Sequence, residues 1–503
     1  MRHTLLPYVI LVALGAAPAG AAVYHVTSTA DTLDGACDDD CSLREAIVAA
    51  NHSAGTDVVM LGPGTYTLTR PGAGEDLGAT GDLDSTGGLQ LVGAGARHTI
   101  IDGGGLDRVL DAFGNGAFEL FGLTVRNGHV AGDGGGIRAV TTFKMECCLV
   151  EASSASDNGG GVYATGSSAF VGSGDIVIDR STIAGNDAGD EGGGLWAAEE
   201  LILTSSTISG NHAAIGGGVA LVQFFSTVQS VTITGNRAEL FAGGIATVGS
   251  EEVPSGGPNE PIGVGLGNSI VAGNTAVEGA DCFGIVDSDG ANLIGRGDRC
   301  TFIGDVARNQ VGTAQAPIDP LLAPLGDYGG PTPTHPLLAG SPAIDSGARV
   351  LTSSTNLDCH PSDQRQRSRP MDGNLDGLSW CDIGAYERSE TCLTAGPELC
   401  LGERFRVTAQ WSTEQGTGAG QALPAVADTG YFWFFAPGNV ELTVKVLDGC
   451  GVNGHYWVFT SGLTDVGVEL AVDDTRSGRR YVHTNPRGHA FTADLATEAI
   501  PCE

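Results

Sequence analysis

Asp372-Gly373-Asn374-Leu375-Asp376-Gly377 sets oxygen-bearing side chains at alternate positions ahead of a glycine. That is the first half of a calcium loop, D-x-[DN]-x-[DN]-G, in which alternate carboxylates and amides converge on one hard cation. Position twelve of the loop is Ile383 and not Glu, so an EF-hand is excluded, and Asp382 or a remote carboxylate has to complete the set. The competing reading is an Asx-turn loop that binds nothing. Calcium is therefore the one cofactor the sequence suggests.

Hydrolysis of a glycosidic bond needs two carboxylates about 5–10 Å apart. Asp102, Asp107, Asp111, Asp133, Asp157, Asp187 and Asp190 are all candidates, but acidic turn residues are common in so acidic a chain. A lyase needs a basic proton acceptor, often Arg, beside cation-binding carboxylates. Arg126, Arg138 and Arg180 are the arginines of the rungs with acidic neighbours, and their spacing does not place them together. No catalytic residue is assigned. Zinc needs four convergent ligands in clustered spacing, a pattern the cysteines and histidines lack.

The element that must position these groups is a repeat across residues 118–276. Leu123-Thr124-Val125-Arg126-Asn127 returns as Ser181-Thr182-Ile183-Ala184-Gly185-Asn186, then at Ser206–Asn211, Val231–Asn236 and Ser269–Asn274. Between the copies stand Gly134-Gly135-Gly136, Gly159-Gly160-Gly161, Gly192-Gly193-Gly194, Gly216-Gly217-Gly218 and Gly243-Gly244. Asn186, Asn211 and Asn236 are about 25 residues apart, a solenoid period. Ile183, Ile208 and Ile233 recur in step, each five residues after Ile178, Leu203 and Val228, and stack into inward ladders if one repeat is one coil. Such a coil holds three short strands and their turns, with glycine supplying positive φ at corners and close approach between coils. The Asn186, Asn211, Asn236 and Asn274 series reads as an amide ladder between coils. The fold class is all-β: a right-handed parallel β-helix with an N-terminal capping helix and a C-terminal β-sandwich.

Residues 1–22 have the form of a secretory signal, with Arg2 and His3, an apolar run Leu5–Leu14, and small residues Ala19–Ala22. No later stretch is apolar for long enough to span a bilayer. The expected location is extracellular or at the cell surface. The net charge of −34 argues against nucleic acid and anionic membranes as partners, and against a uronic-acid polymer unless calcium bridges the two. Gly supplies 79 of 503 residues without a collagen period, so the excess belongs to turns. Twelve cysteines in an exported chain should mostly pair. Spacing suggests Cys37 with Cys41, Cys282 with Cys300, Cys359 with Cys381, Cys392 with Cys400, and Cys450 with Cys502. Of the adjacent Cys147 and Cys148, one can face the coil core.

Ser42 and Glu45 form a capping box for a helix whose apolar face is Leu43, Ala46, Ile47 and Ala50, placed to plug an open coil end. Residues 71–88 read as a loop. Cys41-Ser42-Leu43-Arg44-Glu45-Ala46-Ile47 resembles the bacterial CSLREA module, and the rungs resemble the β-helix repeats of secreted bacterial surface proteins of the pectin-lyase-like type. The phrases Asp319-Pro320-Leu321, Asp327-Tyr328-Gly329-Gly330-Pro331, Gly340-Ser341-Pro342-Ala343-Ile344-Asp345, Asp363-Gln364-Arg365 and Cys381-Asp382-Ile383-Gly384-Ala385-Tyr386-Glu387 resemble the choice-of-anchor Q region of exported bacterial proteins. Gln366 stands where that family usually has Gly, which leaves the local turn open. The resemblance implies secretion or surface display, and no reaction.

The domains expected are a signal peptide at 1–22, a β-helix at 23–280 with its cap at 37–51, an anchor-Q-like region at 281–388 ending the helix, and a β-sandwich at 389–503. The function expected is non-catalytic binding or adhesion to a polysaccharide or another cell-surface component. The alternatives are a polysaccharide lyase or glycoside hydrolase, and a structural envelope component. Lys144 and Lys445 are the only lysines, which gives little support to lysine crosslinking.

Overall fold

The computed structural model describes residues 20–166, 176–222, 226–247, 263–338, 340–347, 359–373, 378–388, 396–402, 404–474, 477 and 479–502. Residues 1–19 of the expected signal, residues 250–261, Asn374, Asp376 and Cys392 lie outside the described residues.

The chain is all-β, with long parallel sheets built coil upon coil, consistent with the solenoid that the repeats require. Successive coils place Phe143–Glu146, Ile176–Asp179, Leu201–Thr204 and Ser226–Gln229 in a first sheet. Leu149–Glu151, Thr182–Ala184, Thr207–Ser209 and Thr232–Thr234 lie in a second. Ile137–Ala139, Val162–Ala164, Leu195–Ala197 and Val219–Leu221 lie in a third. The inward ladders are as the spacing requires. Ile183 pairs with Ile208 and Ile208 with Ile233, while Ile178 pairs with Leu203 and Leu203 with Val228. All six side chains are fully buried in one continuous core.

The Asn ladder holds one corner. Asn186, Asn211, Asn236 and Asn274 bond amide to amide across coils at 2.9–3.0 Å, and Asp281 ends the series by accepting from Asn274 at 2.9 Å. This ladder explains the last glycine of the later triplets, Gly161, Gly194 and Gly218. A Cβ at Gly194 would lie 2.7 Å from the Gly218 carbonyl oxygen and 2.9 Å from the Asn211 amide nitrogen. Glycine serves this corner at Gly185, Gly210 and Gly235, all at positive φ. The corner between the first two sheets departs from the expectation of glycine. Arg180, Ser205 and Ser230 take φ of 43–55° there. Serines hold the backbone in place: the Ser181 and Ser206 hydroxyls donate to carbonyls two residues earlier, and each accepts an amide N–H from the preceding coil. Cys148 faces the core, while Cys147 sits at the corner with φ of 56°.

Helix Leu43–Asn51 has the capping box, and its face of Leu43, Ala46, Ile47 and Ala50 packs on Val23–Val26, Thr56–Leu61 and Leu83–Ser85. The last of these strands corrects the reading of 71–88 as loop. Leu83–Ser85 starts the third sheet, because Leu83 stacks inward on Leu110. Its three residues are too short a run to show alternation.

The coils continue through Cys282–Gly290, Cys300–Asp305 and Gln310–Val311. Beyond them, parts of residues 318–388 lie along the outward face of the second sheet. Gln364 is fully buried: its Oε1 accepts from the Thr207 hydroxyl at 2.6 Å, and its Nε2 donates to the Thr182 and Thr332 hydroxyls at 2.9 Å. Farther along, Ile270, Ala272 and Leu293 are covered by Ala323, Tyr328, Leu337, Ile344, Ile383 and Tyr386. The turn left open at Gln366 keeps a left-handed backbone, φ 68°, so glutamine occupies a conformation that suits glycine.

From residue 396 onward, two five-stranded antiparallel sheets share one apolar core that includes Leu399, Val407, Phe432, Val444, Val458 and Leu470. Four of the expected cysteine pairs, Cys37–Cys41, Cys282–Cys300, Cys359–Cys381 and Cys450–Cys502, are bonded. Cys400 is also disulfide-bonded.

Candidate functional site

Side chains alternate along a strand, so each three-residue strand of the third sheet sends its middle residue outward. Parallel register then stacks those residues in one row: Asp84, Asp111, Arg138, Tyr163, Trp196, Ala220 and Ala246. The row has an acidic, buried end and an aromatic, half-buried middle.

At the acidic end Asp82 joins Asp84 and Asp111. One ligand oxygen from each lies within 4.8 Å of the others, and all three side chains are buried. Arg108 bridges Asp82 at 2.9 Å and Asp111 at 2.8 Å, and Arg138 reaches Asp111 at 3.0 Å. Asp84 Oδ2 accepts the Gly78 N–H at 2.7 Å, while its Oδ1 is buried without a hydrogen-bond partner. Burial pushes the Asp82 carboxyl up to about 7 against the pull of Arg108. Burial, with the Asp82 charge added to it, pushes Asp84 up to about 8.

The segment before Asp82 is held from the helix. Arg44, with no exposed side-chain surface, spends all five of its N–H donors. Two go to the Asp31 carboxylate, and the others to the carbonyls of Gly78, Gly81 and Asp82. Arg44 is thus a staple. Glu45 accepts N–H bonds from Ser42 and Asp34, which outweigh its burial and hold its carboxyl below the usual range.

In the middle of the row, Tyr163 and Trp196 stack with ring centroids 4.4 Å apart and planes 6° from parallel. Trp196 Nε1 donates to Glu191 at 3.0 Å. Neither aromatic was singled out as a site residue from sequence, although both stand two places after a glycine triplet, Gly161 and Gly194, where the strand must point outward.

The other sequence candidates are dispersed. Asp102 binds Arg126 at 2.8 Å and also accepts from Asn127; these bonds outweigh burial and lower its carboxyl. Asp133 accepts from Asn158, and Asp187 faces His212 at 2.6 Å. Asp107 accepts the Arg108 N–H, and Asp157 the Ser156 hydroxyl. Asp190 is exposed. Arg180 pairs with Glu146 and Asp179, away from Arg126 on the second sheet and Arg138 on the third. Of the calcium-loop set, Asp372 and Asp382 are both buried. Both Asp382 oxygens accept backbone N–H groups, from Asp345 at 2.8 Å and Arg388 at 2.6 Å. A second close group, Asp448, Cys450 and Cys502, has both sulfurs in a disulfide. Among the described residues no helix is long and apolar enough to cross a membrane.

No family model, curated protein or solved structure matches the chain.

Proposed function

We propose that the chain is an exported, non-catalytic binding protein, and that it holds a neutral polysaccharide against the outward row of the third sheet at Tyr163 and Trp196. The stacked, half-buried aromatic pair carries this reading. The C–H faces of a pyranose ring are apolar and pack on aromatic surface, while its hydroxyls suit the charged neighbours Glu191 and Arg138. The net charge of −34 favours a neutral polymer over a polyanion. Export is supported by the signal-like leader, by the resemblance to CSLREA and choice-of-anchor Q proteins, and by cysteines paired as in an oxidising compartment. In the same reading the coil is right-handed, helix Leu43–Asn51 caps its open end, and the two antiparallel sheets form a β-sandwich.

The test is retention of the purified protein in gels carrying neutral polysaccharides, with polymer length followed in parallel. Retention that weakens at least tenfold in Trp196→Ala and Tyr163→Ala, with polymer length unchanged, is expected. Folded variants that bind as wild type would refute the site. Shortening of the polymer would move the assignment to a hydrolase or lyase.

A further inference from the structure

We propose that Asp82, Asp84 and Asp111 bind one calcium ion between the first coils, pinning the segment before Asp82 to the third sheet. The three carboxylates are buried and offer an oxygen each within 4.8 Å of one another. A second observation points to a missing ligand: Asp84 Oδ1 has no hydrogen-bond partner although the residue has no exposed surface. A buried carboxylate oxygen without a partner is costly, and a cation satisfies it.

Charge supports the same conclusion. Asp107 is buried beside the cluster, so four carboxylates, Asp82, Asp84, Asp107 and Asp111, face two guanidinium groups, Arg108 and Arg138. A divalent ion offsets that excess of acidic groups. The donors are all oxygen, which selects a hard cation over zinc or copper. The site is walled by protein, which favours calcium over magnesium, because magnesium keeps several of its waters. The site is separate from the calcium-loop candidate around Asp372, and it does not depend on polysaccharide binding.

What the ion would organise is visible in the hydrogen bonds. Asp84 takes the Gly78 N–H, and Arg44 takes the carbonyls of Gly78, Gly81 and Asp82. An ion on Asp82 and Asp84 would add a second hold on this segment. Calcium should therefore protect the bonds around Pro71–Gly81 from proteases.

The experiment is calorimetric and thermal titration of chelator-stripped, oxidised protein with calcium chloride. Wild type is expected to bind calcium and to melt several degrees higher when saturated, with weaker binding of magnesium. Asp84→Asn keeps the shape and removes one charge, so it should fold in chelator at least as well as wild type and lose the calcium-dependent rise. Asp82→Asn is the second variant should the first fail to fold. Asp372→Asn should retain the rise. Absence of heat and of any melting shift in wild type overturns the proposal. So does a full calcium response in folded Asp84→Asn and Asp82→Asn, or a response lost only in Asp372→Asn.

Discussion

Replacing Asn211 tests whether the amide ladder holds the coils together. Asn211 is 1% exposed and fully satisfied. Its Oδ1 accepts the backbone N–H and the Nδ2 of Asn186, both at 3.0 Å. Its Nδ2 donates to the Ile183 carbonyl at 3.0 Å and to Asn236 Oδ1 at 2.9 Å. In Asn211→Ala the Asn186 N–H loses its buried partner, and the Ile183 carbonyl loses one of two, because it also accepts in the ladder in register with Ser209. Asn186 Nδ2 keeps the Val150 carbonyl, and Asn236 Oδ1 keeps the Asn211 N–H. At about 1–3 kcal/mol for the orphaned N–H and about 1 kcal/mol for the lost bond to Ile183, the loss is about 2–4 kcal/mol. Asn211→Asp is nearly isosteric but worse at neutral pH. One oxygen still accepts from Asn186; the other replaces a donor and faces two acceptors with a buried charge. Protonation restores one donor, so this variant should recover stability as pH falls. Urea unfolding with disulfides intact measures the loss, and hydrogen exchange at the Asn186 amide localises it. Asn211→Ala within about 1 kcal/mol of wild type, below the cost of one orphaned buried group, would refute the argument. Asn211→Asp as stable as wild type at neutral pH would do the same.

Two other changes follow from the same accounting of buried polar groups. Arg44→Lys keeps a positive charge but has three donors in place of five, leaving carbonyls around Gly78–Asp82 unserved. It should cost about 3–5 kcal/mol, read by urea unfolding, and should open residues 71–81 to limited proteolysis; wild-type stability would contradict the staple. Asp281 is 1% exposed, and burial pushes its carboxyl up to about 6 against the bonds from Asn274. The folded state therefore binds a proton that the unfolded state releases near the ordinary aspartate value of 3.8, and wild type loses stability as pH rises from there through about 6. The stability difference between wild type and Asp281→Asn should shift against wild type by up to about 3 kcal/mol across that window, from about two pH units at about 1.4 kcal/mol each. A difference that does not change with pH would contradict the burial of this charge.

Much of the architecture was legible in the chain because a solenoid converts spacing into contact. Residues one period apart become neighbours, so Ile183, Ile208 and Ile233, the Asn series and the glycine triplets could be placed without coordinates. The capping box at Ser42 and Glu45 was equally local, and four cysteine pairs followed from the order of the cysteines along the chain. The same logic could have found the aromatic pair, since Tyr163 and Trp196 hold equal places after their triplets.

Other features had no local signal. Leu83–Ser85 looks like loop in the chain, and only its stacking on Leu110–Ala112 makes it a strand and gathers Asp82 and Asp84 beside Asp111. Thr182, Thr207 and Thr232 have the pattern of a solvent-facing row. Tertiary structure instead lays Gln364 and Ala385 across them, through bonds that span more than 150 residues. Which residues recur, and therefore which stack, is written in the chain, because register between successive coils is set by inward apolar groups that would face water after a one-residue slip. Which outward faces are covered and which carboxylates meet emerges only on folding, because those contacts join segments with no shared period.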